Sequence, residues 1–309
     1  MNGTMTPSLG EPVLHSLTAD DGWVLRAYEF SPARDQVRGT VLLGHAMMVD
    51  ARTLCRPDRP TIAATLVANG FRVLVPDLRG HGASGPHAAE GGDWSYDDHV
   101  RDVGTLVGWA RELGPNAPLH LVGHSLFGNA SLAWLGENPA QDVTSVVLLC
   151  VDIWCRRHEP RWWRWVLKRA FFLISLGLVK TFGFLPSVWL GMGTADECAR
   201  YWSQFDRWMR DDRWTNEEGD IDYGRALFEI RHPVLHVMSE GDRLYAAPEA
   251  SLEFTRVIAR RQVMMLPARI PARSGAGTVG VGHMSVVTDP ECSIIWERIA
   301  RWLVAREAA

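Results

Sequence analysis

Leu119-His120-Leu121-Val122-Gly123-His124-Ser125-Leu126-Phe127-Gly128 decides the reading of this chain. Residues 119–122 read as a short buried strand, and residues 125–135 as a helix. Gly123-His124-Ser125 must therefore make a sharp strand-to-helix turn. Such a turn lifts a serine Oγ above the sheet edge and leaves the next backbone N–H, here of Leu126, free to meet an oxyanion. A serine hydroxyl is a poor nucleophile until an imidazole removes its proton. Alone, the stretch is also compatible with a strand-end turn that happens to contain serine, so its meaning depends on what the rest of the chain brings to it.

Outward from this turn the sequence alternates. Strands are expected at 22–30, 39–45, 71–75, 143–151, 233–238 and 262–266, and helices at 60–69, 96–113 and 248–259. Asp289-Pro290 opens a last helix as N-cap and first residue, with Ile295, Ile299, Trp302 and Leu303 as its apolar stripe. Asp20-Asp21-Gly22 reads as a hairpin turn. The pattern predicts an α/β fold: a mostly parallel central sheet with helices on both faces and an antiparallel edge. Sites on such sheets gather beyond the carboxyl ends of the strands. His45, Asp77, Ser125, Asp152, Asp242 and His283 all fall just past expected strand ends.

Two further segments can complete a site. Ser239-Glu240-Gly241-Asp242 follows the strand at 233–238, and Gly282-His283-Met284 precedes the last helix. Asp242 would accept a hydrogen bond from one nitrogen of His283 while the other serves Ser125 as general base. Asp242 also suits a simple Asx turn, and Asp152 is the rival acid because it too ends a strand. Among eleven histidines, His45 and His124 sit in turn motifs, and His232 and His236 flank or lie within a strand. Residues 267–282, dense in Ala, Gly, Arg and Pro, read as a long mobile loop. The reach of His283 depends on that loop.

The chain resembles the α/β-hydrolase family, in its esterase-like branch with an inserted helical cap. The resemblance spans nearly the whole chain. It rests on the chain order Ser125, Asp242, His283, on Leu43-Gly44-His45-Ala46-Met47-Met48, and on Asp77-Leu78-Arg79-Gly80-His81-Gly82-Ala83-Ser84. It implies a serine hydrolase that cleaves an ester or thioester with a hydrophobic moiety through an acyl-serine. Met47 would be the second oxyanion N–H donor beside Leu126. Asp77, Arg79 and His81 would shape a loop. No cofactor and no metal are implied. Two residues depart from the pattern: Ala46 follows His45 where glycine is usual, and Phe127 stands where a third motif glycine is expected. A benzyl group there must find space or tilt the helix, and is expected to lower or narrow activity without abolishing it. Other readings are a lactonase, a cofactor-free perhydrolase or an acyltransferase on the same triad, or a ligand-binding relative with weak or no catalysis.

The divisions expected are a first core part at 1–151, a helical cap at 152–231 and a second core part at 232–309. The cap segment is rich in tryptophan and carries expected helices at 160–180 and 195–210, the second opened by a capping box at Thr194-Ala195-Asp196-Glu197. Arg161, Arg164 and Lys168 share one helical stripe, with Trp162, Trp163 and Trp165 around it. The expectation is a cap packing its aromatics on the core and pocket, with contact to a membrane surface through 161–180 as the alternative. A net charge of −4 gives no field that favours nucleic acid. Five cysteines without C-x-x-C spacing argue against a disulfide framework and for a reducing compartment, hence a cytoplasmic location. The first eleven residues predict no signal peptide. The expected partner is a small apolar substrate. The sequence is silent on its identity and on oligomeric state.

Overall fold

The computed structural model describes residues 9–33, 37–272, 275 and 277–306. The reading of the N-terminal segment falls mostly on residues 1–8, outside the described residues. β1 (Val13–Thr18) and β2 (Val24–Phe30) form an antiparallel hairpin. β2 runs antiparallel to β4 (Arg72–Pro76), and β3 (Thr40–Gly44), β5 (Leu119–His124) and β6 (Ser145–Leu149) continue the sheet in parallel. β7 (Phe184–Leu185) and β8 (Glu197–Cys198) pair outside it. β9 (Val234–Ser239) and β10 (Arg261–Leu266) complete it, giving the order β1-β2-β4-β3-β5-β6-β9-β10. Every residue of β3, β5, β6 and β9 is buried, which is why these strands read as unbroken apolar runs.

Alternation along the strands splits the core in two. Leu42, Leu121 and Leu148 face a layer built from α2 (Tyr96–Leu113), α3 (Leu126–Glu137) and the segment that follows β6. Val41, Leu43, Val122 and Leu149 face α1 (Ile62–Ala68) and α9 (Ser293–Val304). Asp289 caps the 3-10 turn Pro290–Cys292 that leads into α9, as its sequence signal requires, and α2 opens on a capping box in which the Ser95 hydroxyl accepts from the Asp98 N–H while the Asp98 carboxylate accepts from the Ser95 N–H.

Between β6 and β9 the chain forms α4 (Trp162–Phe182), α5 (Ala199–Asp211) and α6 (Tyr223–Ala226). Three expectations are corrected here. The segment is not all-helical, because it includes the β7–β8 pair. Thr194 and Glu197 form no capping box: Thr194 Oγ1 donates to Asp50, while Glu197 accepts from the Met48 N–H and meets His81. The stripe on α4 is turned inside out. Arg164 and Lys168 are buried, whereas Trp162 and Trp163 are exposed. Buried carboxylates draw the cations inward: Lys168 Nζ lies 3.2 Å from Asp152 and 3.1 Å from Glu159, and Arg164 pairs with Glu159 and, at the rim, with the exposed Glu249. The tryptophans that do pack inward lie outside α4: Trp154 before it, and Trp202, Trp208 and Trp214 on α5 and beyond.

After β9 come α7 (Pro248–Phe254), the hairpin β11 (Arg269–Pro271) and β12 (Thr278–Gly280), and α8 (Ser285–Thr288). The expected long loop at 267–282 is thus a hairpin over its described residues; residues 273, 274 and 276 lie outside them. No helix among the described residues is long and apolar enough to cross a membrane.

Candidate active site

Ser125 sits between β5 and α3 at φ 49°, ψ −108°, a left-handed backbone that an L-residue adopts only under constraint. The constraint is visible. The Ser125 N–H donates to Leu149 O of β6, and the Asn129 N–H of α3 donates to Ser125 O. A Cβ on Gly123 would lie 2.4 Å from Gly128 N, and one on Gly128 would lie 2.5 Å from Val151 Cγ2. Gly123 and Gly128 therefore let helix and strand pass in near contact.

Phe127, at the position of the missing glycine, neither tilts α3 away nor reaches solvent. Its ring is fully buried and occupies the space over Gly44, where a Cβ would meet Phe127 Cγ at 2.0 Å. Its N–H donates to His45 O. The extra volume at 127 is thus taken up by the absent side chain at 44.

The acid and base converge. His283 Nδ1 lies 2.6 Å from Asp242 Oδ2. Asp242 is almost fully buried in the turn after β9, where its other oxygen accepts from the Tyr245 N–H. The hairpin supplies the reach: the Val281 N–H donates to Ala268 O, Ser239 Oγ donates to Val281 O, and a Cβ on Gly241 would lie 2.1 Å from that same carbonyl. The two turns are pressed together, so His283 is delivered beside Asp242. His124 and Tyr245 flank its ring at 5.0 and 5.1 Å, and His124 Nε2 donates to the His283 carbonyl. Burial holds His124 well below the usual imidazole range, so it is a neutral support.

Ser125 and His283 line one cavity of about 120 Å³, with Met47 at its wall. No hydrogen bond joins the Ser125 hydroxyl to His283 among the described residues; such contacts commonly tighten only when substrate binds. The Leu126 and Met47 N–H groups donate to no described residue. The next N–H, of Met48, is held at 2.7 Å by Glu197, which fixes the segment that carries Met47.

Asp152 also lines the cavity but does not reach His283's partner position. It is committed to Lys168, and burial raises its carboxyl to about 6 in spite of that cation. Cys150 Sγ lies within 4.8 Å of the Asp242 and His283 donor atoms, but burial pushes its thiol well above the usual range and leaves it a neutral wall. His45 accepts from the Leu78 N–H and donates to Ala46 O, and burial lowers it to about 3. Asp77 accepts from the N–H groups of Ala51 and Ala83 and from the Tyr28 hydroxyl, and Arg79 forks onto Asp102. Neither Asp77, Arg79 nor His81 lines the cavity.

The cavity wall is rich in aromatic side chains, Tyr96, Trp154, Phe171, Trp202, Phe205 and Trp208 among them, with Met47, Met48, Met192 and Met284 between. The buried acceptors Asn129 Oδ1 and Asp152 Oδ1 have no donor. Sequence reasoning missed Asn129, Glu197, Lys168 and Tyr245. For Lys168 a signal existed: the chain contains just two lysines, and arginine fills nearly every other cationic position.

The comparisons bear on the family and the fold. The Hydrolase_4 family model, described as serine aminopeptidase, S33, matches residues 35–229. Ferulic acid-bound Est1E from Butyrivibrio proteoclasticus superposes with a TM-score of 0.63 at 14% identity, covering 96% of this chain and 100% of that one. DcsB in complex with its substrate analogue gives 0.66 at 15% identity, covering 96% and 100%. The Pyrococcus furiosus esterase Pf2001 gives 0.59 at 17% identity, covering 96% and 90%. No curated protein sequence matches.

Proposed function

We propose, from the premise that the chain belongs to the Hydrolase_4 (serine aminopeptidase, S33) family of α/β-hydrolases, that it hydrolyses carboxylic esters or thioesters with a small apolar acyl group, with Ser125 as nucleophile. The observation that carries this reading is the 2.6 Å His283–Asp242 contact opening, with the Ser125 elbow, onto one aromatic cavity.

His283 takes the Ser125 proton as Oγ attacks the carbonyl carbon, and Asp242 holds the imidazole in the tautomer this needs and stabilises the imidazolium. The Leu126 and Met47 N–H groups receive the oxyanion; losing one such donor typically costs about 10²–10³ in rate. The protonated His283 gives its proton to the leaving alcohol or thiol. Water, deprotonated by the same imidazole, then releases the acid from the acyl-serine. All of these steps use protein groups.

The cavity wall favours ester over peptide substrates. An aminopeptidase must pair the ammonium of its substrate. The one carboxylate among the cavity-lining residues, Asp152, already has Lys168 at 3.2 Å. A neutral, apolar ligand fits this wall better. At about 120 Å³ the cavity is somewhat smaller than the ~150 Å³ that holds a benzene ring. Five cysteines without C-x-x-C spacing suit a reducing compartment, and the cytoplasm is the compartment proposed.

The test is hydrolysis of p-nitrophenyl esters of increasing acyl length. Turnover should peak from acetyl to butyryl and fall for longer chains. Ser125→Ala should lower it at least about 10⁴-fold. Full activity in Ser125→Ala, or release of an amino acid from peptide amides faster than from any ester, refutes the proposal.

A further inference from the structure

Among the described residues, nothing covers the outer face of α4. Trp162, Val166, Leu167, Leu173, Ile174 and Phe182 are between 48% and 70% exposed along its length. The turn that follows adds Trp189 at 75% and Leu190 at 39%. The Phe182 and Trp189 rings are 6.2 Å apart, so helix and turn make one surface. A helix facing water ordinarily shows its charges outward. Here Arg164 and Lys168 are buried against Glu159 and Asp152 while hydrocarbon faces out. A continuous apolar surface of this kind marks a contact site.

Shape and charge select the occupant. Twenty-one helical residues make a rod about 30 Å long, and the exposed apolar side chains run from one end to the other. That suits a flat, extended medium. α4 contains no carboxylate; of its cations Arg164 and Lys168 are turned inward and Arg169 pairs with Asp206, while exposed Arg161, just before it, pairs with the half-exposed Glu249. Lys180 is exposed and pairs with no carboxylate among the described residues. Tryptophan on an apolar helix face, with the exposed Arg161 and Lys180 at its two ends, suits the boundary between headgroups and acyl chains of an anionic bilayer. The buried ion pairs keep the inner face on the protein, so the helix lies on such a surface and does not enter it.

We propose that the outer face of α4 and the 188–190 turn dock this protein on an anionic lipid surface. Phe171, on the inner side of the same helix, lines the cavity. Docking therefore sets the aromatic cavity against a phase that concentrates apolar esters. That consequence rests on the esterase reading; the docking itself does not.

The test is co-sedimentation of the full chain with vesicles of phosphatidylcholine containing phosphatidylglycerol, and with vesicles of phosphatidylcholine alone. The unaltered chain and Ser125→Ala should bind the anionic vesicles alike, and more strongly than the neutral ones. Each exposed side chain seated in the interface contributes on the order of tenfold, or less where seating is partial, so Trp162→Ser, Ile174→Ser and Trp189→Ser combined should lower partitioning about 100-fold or more. Because these side chains are exposed, the thermal midpoint of the triple variant should stay close to that of the parent, which separates lost docking from lost folding. Absence of vesicle binding, equal binding by the triple variant, or a solution dimer that the triple change dissociates without any vesicle binding overturns the proposal.

Discussion

Gly44→Ala probes how this chain works without the third motif glycine. The added Cβ would lie 2.0 Å from Phe127 Cγ and 2.4 Å from both Cδ atoms, where unstrained carbons sit about 3.5–4.0 Å apart. The ring has to retreat by roughly 1.5 Å, and Phe127 is fully buried, so no empty space receives it. Overpacking of this kind costs about 1–3 kcal/mol. The displacement also has a direction. Phe127 belongs to the first turn of α3, beside Ser125 and the Leu126 N–H, and its own N–H is bonded to His45 O, two residues before Met47. Both proposed oxyanion donors are thus tied to the strained contact, and a 1 Å misplacement can cost about 10²-fold in rate. Gly44→Ala should lower stability in urea by about 1–3 kcal/mol and lower kcat by roughly 10- to 100-fold with a smaller change in KM. Phe127→Ala alone should cost about 3–5 kcal/mol through the cavity it leaves. The double variant should cost less than the sum, by at least about 1 kcal/mol, because the new methyl enters space the ring vacates. Strict additivity, or a Gly44→Ala protein as stable and active as its parent, refutes the account of how Phe127 is housed.

Three further outcomes follow from the same contacts. Lys168→Met leaves Asp152 and Glu159 buried without their shared cation and should destabilise the fold by about 3–5 kcal/mol at pH 8. Burial raises the Asp152 carboxyl to about 6 even with Lys168 beside it, and losing that cation raises it further, so at pH 5 the variant's Asp152 is protonated, one uncompensated charge is gone, and the loss, read from urea midpoints, should be clearly smaller than at pH 8. Glu197→Ala releases the Met48 N–H and should lower kcat about tenfold with little change in KM, measured on p-nitrophenyl acetate. Burial opposes a charge on His81, but the Glu197 carboxylate beside it prevails and raises its pKa; the stabilisation from this pair is therefore fully present below pH ~6.5 and is lost as pH rises through the raised value. In Glu197→Gln that pH dependence of stability should flatten.

The sheet and the helices of its core were legible because their signals are local and repeated. Unbroken apolar strands, Gly114 after α2 and the Asp289 cap each speak for their own segment. The Ser125 elbow was legible for the same reason. What escaped was set by partners distant in sequence. Arg164 and Lys168 look like a solvated stripe until Asp152 and Glu159 are brought beneath them, and the neighbouring tryptophans then have to face outward. Glu197 fits a capping pattern but bonds to a backbone N–H 149 residues away. Phe127 reads as a defect until Gly44, on another strand, supplies its space. The Gly241–Val281 contact, which carries His283 to Asp242, likewise has no trace in either segment alone.

The central claim is that Ser125, His283 and Asp242 act as one acyl-transfer unit with the Leu126 and Met47 N–H groups as the oxyanion site. A crystal structure of the chain inactivated with a small alkyl fluorophosphonate tests it most directly. The account predicts phosphorus bonded to Ser125 Oγ alone, His283 Nε2 within hydrogen-bond reach of that oxygen, and the phosphoryl oxygen accepting from both N–H groups at about 2.7–3.1 Å. No adduct, an adduct on Cys150, or a phosphoryl oxygen turned away from Leu126 and Met47 would contradict it.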